Sequence, residues 1–260
     1  ASAALATVIS QAVSATLCFT RLVRTEDVYR VDVRKIRFHG PTLRGIIRFG
    51  LPSGIQNSVI GFANLVVQTN INSFGAAAMA GCGAHAKIEG FAFLPITCFS
   101  MALSTFVGQN LGAHKHDRVR KGVGFGIACS CLVAELVGIL SYLLAPQLIG
   151  FFSDTQEAID FGTRHMRTIC LFYCLMAFSH CIAGIMRGAG KPTVPMFTML
   201  LCWCVIRVSY ITIAVKLVNR LTTVSWAYPI TWTLSSIAFL IYFLKADWIH
   251  NFDRLEAKGA

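Results

Sequence analysis

Charge is what this chain has least of. Lys, Arg, Asp and Glu make up 13% of its 260 residues, about half the share of roughly 25% usual in a soluble domain. Acids are scarcest, 12 against 23 Lys and Arg. With 55% hydrophobic residues and a mean hydropathy of +0.62, the composition excludes a soluble domain and indicates an all-α polytopic membrane protein. Several motifs are missing as well. No HExxH, no paired Asp in GxGD and no Ser–His arrangement occurs, so an intramembrane enzyme is not expected. The ten cysteines (Cys18, Cys82, Cys98, Cys129, Cys131, Cys170, Cys174, Cys181, Cys202 and Cys204) include no CxxC pair. Nearly all lie in apolar runs and read as buried thiols. Cys170, Cys174 and Cys181 share one helical face, but no His or carboxylate joins them at ligand spacing, so packing is the expected role and no metal site is assigned. The first residue is Ala1, with neither an initiator Met nor a basic segment before the first apolar run. This does not read as a signal peptide; it reads as a start within a larger protein.

What is present is a series of apolar spans organised around Gly81–Ala113. That stretch carries His85, Lys87 and Glu89 near its start, a helix-breaking Pro95 near its middle and a polar, glycine-marked exit. About 20 apolar residues cross a bilayer core, and an ionisable group inside such a span is by default a functional-site hypothesis. Ala1–Thr20 is apolar and rich in small residues. Residues 21–48 hold eight Lys or Arg and three acids. Within them, Ile36, Leu43, Ile46, Ile47 and Phe49 alternate with Arg37, Arg44 and Arg48, the pattern of an interfacial connection. Leu51–Ile71 is a span of unusual polarity, with Asn57, Asn64 and Gln68 on one helical face. Gly122–Ala145, Thr163–Ile185, Thr193–Val215 and Thr222–Leu244 complete seven apolar spans, and a charged tail follows.

The connections set the orientation. Lys and Arg number eight in 21–48, four in 109–121, two in 186–192 and three from Lys245 onward, against two in 146–168, two in 216–221 and none in 72–81. Seventeen against four puts the first set, and with it the carboxy terminus, in the cytoplasm. The net charge of +11 therefore reports membrane topology, and no nucleic-acid partner is expected.

Three segments carry a resemblance. GLPSGIQNSVIGFANLVVQTNINSFG, STFVGQNLGA and GIMRGAGKPTVPM resemble segments of multidrug and toxic compound extrusion (MATE) transporters, in the order and at the intervals of that family's carboxy-terminal lobe. The resemblance covers essentially the whole chain. It implies that residues 1–20 end the amino lobe's last helix, 21–48 connect the lobes, 49–245 form a six-helix carboxy lobe and 246–260 a cytoplasmic tail. It further implies a multi-pass protein of the plasma (inner) membrane that exports organic, often cationic, compounds in exchange for Na⁺ or H⁺ by alternating access. Its partners would be those compounds, membrane lipid and the amino-terminal lobe of the same protein; beyond the coupling ion it needs no cofactor. In some relatives acids in helices seven and ten bind the coupling cation. The corresponding places here fall near Ile60 and Met176, which cannot ionise, so that site does not carry over.

Candidate binding residues follow. His85 and Glu89 are four apart and share a face; both are expected to line the cavity, with Glu89 binding a cationic substrate or the coupling ion. Asn57, Asn64 and Gln68 are expected to face it as well. Lys87 is a further binding candidate, although it points away from Glu89 and lies shallow enough to snorkel. Glu135 and Arg207, each costly alone near mid-bilayer, are expected to pair across helices as a structural bridge. Arg187 and Lys191 are assigned to a turn that holds topology. Among Phe91, Phe93, Phe99, Trp203 and Trp226, packing or lipid contact is the expected role, with cation–π contact to drugs as the functional alternative. Two other functions remain open. One is a flippase for lipid-linked saccharides, which would need several arginines inside the spans where Arg207 is nearly alone; the other is a non-transporting scaffold.

Overall fold

A computed structural model describes residues 2–26, 30–33 and 37–249, with side chains from Leu5 onward. Most of the expected cytoplasmic tail and parts of the connection, Ile36 included, lie outside the described residues. The chain divides into two units, Ala1–Arg44 and Gly45–Ala260. The first holds helix α1 (Ser2–Arg24) and the first turn of α2 (Gly40–Asn72). After α1, the Val31 N–H bonds back to the Leu22 carbonyl at 3.0 Å.

The second unit is a bundle of helices. After the rest of α2 come α3 (Ala76–Gly112), α4 (His116–Leu143), a short α5 (Ala145–Gly150), α6 (Gln156–Ile169) and α7 (Tyr173–Gly188). Then follow α8 (Thr193–Met199), α9 (Arg207–Leu217), the single turn α10 (Leu221–Ser225) and α11 (Ala227–Lys245). A 3₁₀ turn at Cys170–Phe172 joins α6 to α7, and seven π-helical residues, Leu200–Ile206, join α8 to α9. Six helical stretches among the described residues are long and apolar enough to cross a membrane. Seven were expected. The difference is α2, whose Gln56, Asn57, Asn64, Gln68, Asn70 and Asn72 dilute its hydropathy although its 33 residues are ample in length.

Two local expectations change. Pro95 does not break its helix: α3 runs unbroken for 37 residues. A proline removes one N–H, which here leaves the Phe91 carbonyl without its usual donor, and membrane helices tolerate such a gap where local adjustment and neighbouring helices take it up. The amphipathic end of the basic connection is also not separate from the next span, since α2 is already helical from Gly40. The turn after α7 matches its reading. Gly190 adopts φ 76°, and the N–H groups of Ala189 and Lys191 return to the carbonyls of Ile185 and Met186, a helix exit that needs a left-handed residue.

Small residues hold the bundle together. Gly184 and Gly188, one turn apart on α7, lie against the carbonyls of Ser100 and Ser104 on α3, and a Cβ at either position would overlap them. Gly81 of α3 and Gly162 of α6 meet backbone to backbone, and Gly138 of α4 lies on the Cys170 carbonyl. Lipid tails are as apolar as leucine, so membrane helices gain by close van der Waals approach rather than by burial from water. The Ser100 hydroxyl adds a 2.6 Å bond to the His180 carbonyl across the α3–α7 contact. Around these contacts the core is layered. Val107, Leu111, Ile185 and Met186 pack at the end bearing the 113–115 and 189–192 turns, Tyr173, Trp203 and Trp232 fill the middle, and Ile71, Ile211 and Val224 pack at the opposite end.

Gly184→Ala and Gly188→Ala should each destabilise the purified protein by about 1–3 kcal/mol through overpacking. Gly124→Ala, whose added Cβ meets nothing within 4 Å, should leave thermal unfolding in detergent unchanged.

Candidate functional site

A cavity of about 580 Å³ opens among α2, α3, α7, α9 and α11, within the size range of small-molecule sites. Helical periodicity builds its walls. On α2, Gln56, Ile60 and Asn64 recur every fourth residue, with Asn57 beside them; on α3, Glu89, Phe93, Thr97 and Ser100 follow at steps of four, four and three. The π-helical turn and the start of α9 bring Trp203 and Arg207 to a third wall, and α11 adds Tyr228 and Trp232. A π-helical insertion changes which residues face the interior, and such insertions recur at functional sites.

Glu89 is half-buried and is the one carboxylate among the lining residues. Ile60 and Met176 also line the cavity, so the places that were expected to lack an acid do lie on it, and both are apolar. Arg207 is 1% exposed, and a charge buried in this way is costly unless it is paired or hydrogen-bonded. Neutral groups offset it. Nε and Nη2 donate to Thr231 Oγ1 at 3.3 and 2.9 Å, and Nη1 donates to Asn64 Oδ1 at 3.3 Å. The guanidinium also lies 4.7 Å from the Tyr228 ring centroid and 5.3 Å from that of Trp203, within cation–π range.

Several buried polar atoms here have no partner among the described residues. Gln56 donates to Met199 Sδ, but its Oε1 accepts nothing; Trp232 Nε1 and His180 Nε2 are also unpaired. Unsatisfied buried groups are rare in native proteins and point to a role or to an occupant. All three residues line this cavity.

The other expected site residues divide. Asn57 and Asn64 face the cavity as the sequence suggested. Gln68, one turn on, does not; its amide bonds to Asn72 at 2.8 Å on an exposed face. His85 does not line the cavity either. It is 1% exposed, with its ring edge-on to His165 at 5.0 Å and its Nε2 3.4 Å from the Tyr173 hydroxyl. Sharing a helical face with Glu89 was not enough, because α6 and α7 cover that face one turn before the cavity begins. The Lys87 ammonium lies 5.3 Å from the Phe152 ring centroid, outside the cavity.

The expected pair of Glu135 with Arg207 does not form. Glu135 accepts the backbone N–H of Cys174 at 3.3 Å. Cys174 is the second residue of α7, after the 3₁₀ turn, and the first N–H groups of a helix have no partner within it. Glu135 therefore caps α7 from the neighbouring helix, while Arg207 faces the cavity. Arg187 departs from its expected role too: it lines the cavity and donates to Ser100 Oγ at 3.2 Å. Phe93 and Trp203 line it as well, whereas Phe91 and Trp226 are exposed. His180, Gln56, Tyr228 and Trp232 were not singled out from sequence. The eight-residue spacing of Gln56 with Asn64, about two helical turns, was the available signal for one of them; the aromatic residues of α11 offered none.

Because Glu135 and Arg207 have separate partners, their substitutions by Gln should be additive in unfolding free energy to within about 0.5 kcal/mol. A double-mutant cycle followed by thermal unfolding measures this.

Comparison with known proteins agrees with this architecture. The chain is 25% identical over 247 residues to the probable multidrug resistance protein NorM of Thermotoga maritima, covering 95% of this chain and 53% of that one. It is 23% identical over 203 residues to the probable multidrug resistance protein YpnP of Bacillus subtilis, covering 78% and 45%. The chain thus spans about half the length of these curated relatives. A solved structure described as MATE in complex with MaL6 superposes with a TM-score of 0.85 at 20% identity, over 97% of this chain and 57% of that one, so the bundle has the fold of one MATE-type lobe. A family model, MatE, matches residues 52–213, which run from the start of the cavity's first wall into α9. The apolar helices make this a multi-pass membrane protein, and the chain belongs to the MatE family.

Proposed function

We propose that this chain is the carboxy-terminal lobe of a secondary active multidrug efflux transporter, which exchanges organic compounds, often cationic, for Na⁺ or H⁺ by alternating access. The observation that carries this reading is the position of Glu89, the sole carboxylate among the described residues lining an aromatic- and amide-rich cavity within a membrane bundle. An antiporter needs a group that either the coupling ion or the substrate can occupy, so that each favours a different state of the protein. A carboxylate in such a setting attracts a proton, Na⁺ or an organic cation, and only one can occupy it at a time. The names of the relatives support the same direction.

In this reading the cavity is half of a larger site completed by the amino-terminal lobe, as in repeat-built transporters whose sites lie at the repeat interface. Small organic substrates, membrane lipid and that lobe are the proposed partners, and the coupling ion is the only proposed auxiliary. The asymmetry of the basic connections supports placing them and the carboxy terminus in the cytoplasm, with the protein in the plasma (inner) membrane. A lipid-linked saccharide flippase is the second reading. Arg187 favours it by adding a second guanidinium to the cavity, but Glu89 would repel a pyrophosphate.

Glu89→Gln should abolish ion-driven efflux of a fluorescent substrate from cells expressing the full-length protein. Lys87→Met should leave it unchanged, because the Lys87 ammonium lies outside the cavity. Undiminished drug resistance in Glu89→Gln would reject the assignment.

A further inference from the structure

A second concentration of positive charge lies away from the cavity, at the end of the bundle bearing the 189–192 turn. There a pocket of about 310 Å³ sits among the start of α2, that turn and the end of α11. Arg48 enters it from α2 and Lys191 from the turn, and no carboxylate is among its described lining residues. Asp247 attracts the Lys191 ammonium from outside the pocket, but burial outweighs it and holds the Lys191 pKa below the ordinary lysine value. A partly desolvated cation with too little counter-charge favours an incoming anion.

The depth of the pocket says which anion. Two membrane spans terminate beside it, one beginning at Thr193 and one ending at Lys245, so it lies at the level of phospholipid headgroups. An apolar groove of about 500 Å³ adjoins it on α11, lined by Ala238, Ile241, Tyr242, Lys245 and Ala246. Tyr242 lines both. The spacing keeps the groove on one face of α11. Ile241 is 51% exposed, and Ala238, seven residues before Lys245, lies about 10 Å deeper along the helix. The other basic pocket at this end differs. It is lined by His114, Lys115, His116, Asp117, Arg118 and Arg120, so it includes a carboxylate and offers no apolar wall.

We infer that the pocket and groove together bind an anionic phospholipid, with its phosphate between Arg48 and Lys191 and one acyl chain along α11 past Tyr242. Basic pockets between membrane helices hold anionic headgroups in this way. A zwitterionic lipid offers the same phosphate but brings its own ammonium towards two cations, so headgroup charge decides the preference. Arg48 belongs to α2, which supplies Gln56, Asn57 and Asn64 to the cavity wall. A lipid held here therefore ties that wall to the α7–α8 turn. The binding is independent of which compounds occupy the cavity.

The test is a titration of the purified full-length protein, in neutral micelles containing phosphatidylcholine, with phosphatidylglycerol of the same acyl chains. Phosphatidylglycerol should raise the unfolding temperature saturably, as a ligand of the folded state does, and added phosphatidylcholine should not. Arg48→Gln and Lys191→Gln should each move the midpoint of the titration up about fivefold, the effect of one basic residue near anionic lipid. Ala238→Phe, which fills the groove and leaves the charges in place, should raise the midpoint too. Lys115→Gln, in the other basic pocket, should leave it unchanged. Equal stabilisation by the two lipids would overturn the inference, and that comparison needs no variant to fold. Equal stabilisation by glycerol phosphate, which carries the anion without acyl chains, would overturn it as well. So would a midpoint that responds to Lys115→Gln but not to Arg48→Gln or Lys191→Gln.

Discussion

The backbone contact of α3 with α6 and α7 is the constraint on which the rest of this structure depends. Gly81 meets Gly162 near one end of α3, and Ser100 and Ser104 meet Gly184 and Gly188 near the other. In lipid, where apolar burial provides no drive between helices, such contacts let backbones approach until dispersion and a few hydrogen bonds suffice. Both anchor points lie on α3, and Glu89 lies between them. The helix is pinned on either side of that carboxylate, so Glu89 is presented on a rigid element. The continuity of α3 through Pro95 belongs to the same constraint, because a break there would separate the two anchors.

On this frame the cavity collects polar groups that the bundle leaves incomplete. Gln56, His180 and Trp232 each hold a buried atom with no partner, and Arg207 carries a charge met by neutral acceptors. Elsewhere in the middle layer, hydroxyls pair with one another: Ser179 bonds to both Ser235 and Ser236, and the Trp203 indole donates to Ser235. The contrast is physical. The serines of that layer are satisfied within the bundle, whereas Gln56, His180 and Trp232 beside the cavity each keep a buried atom without a partner among the described residues. The buried histidine pair, His85 with His165, belongs to the satisfied class, since the Tyr173 and Ser225 hydroxyls lie beside the two rings.

Much of the fold was legible from the chain. Apolar runs of membrane length, the basic connections between them and the glycine at the exit of α7 each report a local requirement, and local requirements leave local traces. The site was legible only in part. Asn57 and Asn64 could be placed because one helix's periodicity carries them to one face. Gln68 shares that face but lies past the cavity's edge, and His85 shares the face of Glu89 but lies under α6 and α7. Glu135 and Arg207 looked like partners because each is costly alone, yet each found other groups to offset its cost.

Composition, periodicity and charge placement by themselves determined that this is a helical, multi-pass membrane protein. They also singled out Glu89 as a charge that needs a reason. Only the tertiary structure decided which buried charges face the cavity. The distinction between Glu89 and His85, or between Arg207 and Glu135, depends on which neighbouring helix covers a given turn. That is set by close backbone contacts between residues distant in sequence, such as Gly184 with Ser100, and periodicity along a single helix carries no record of them.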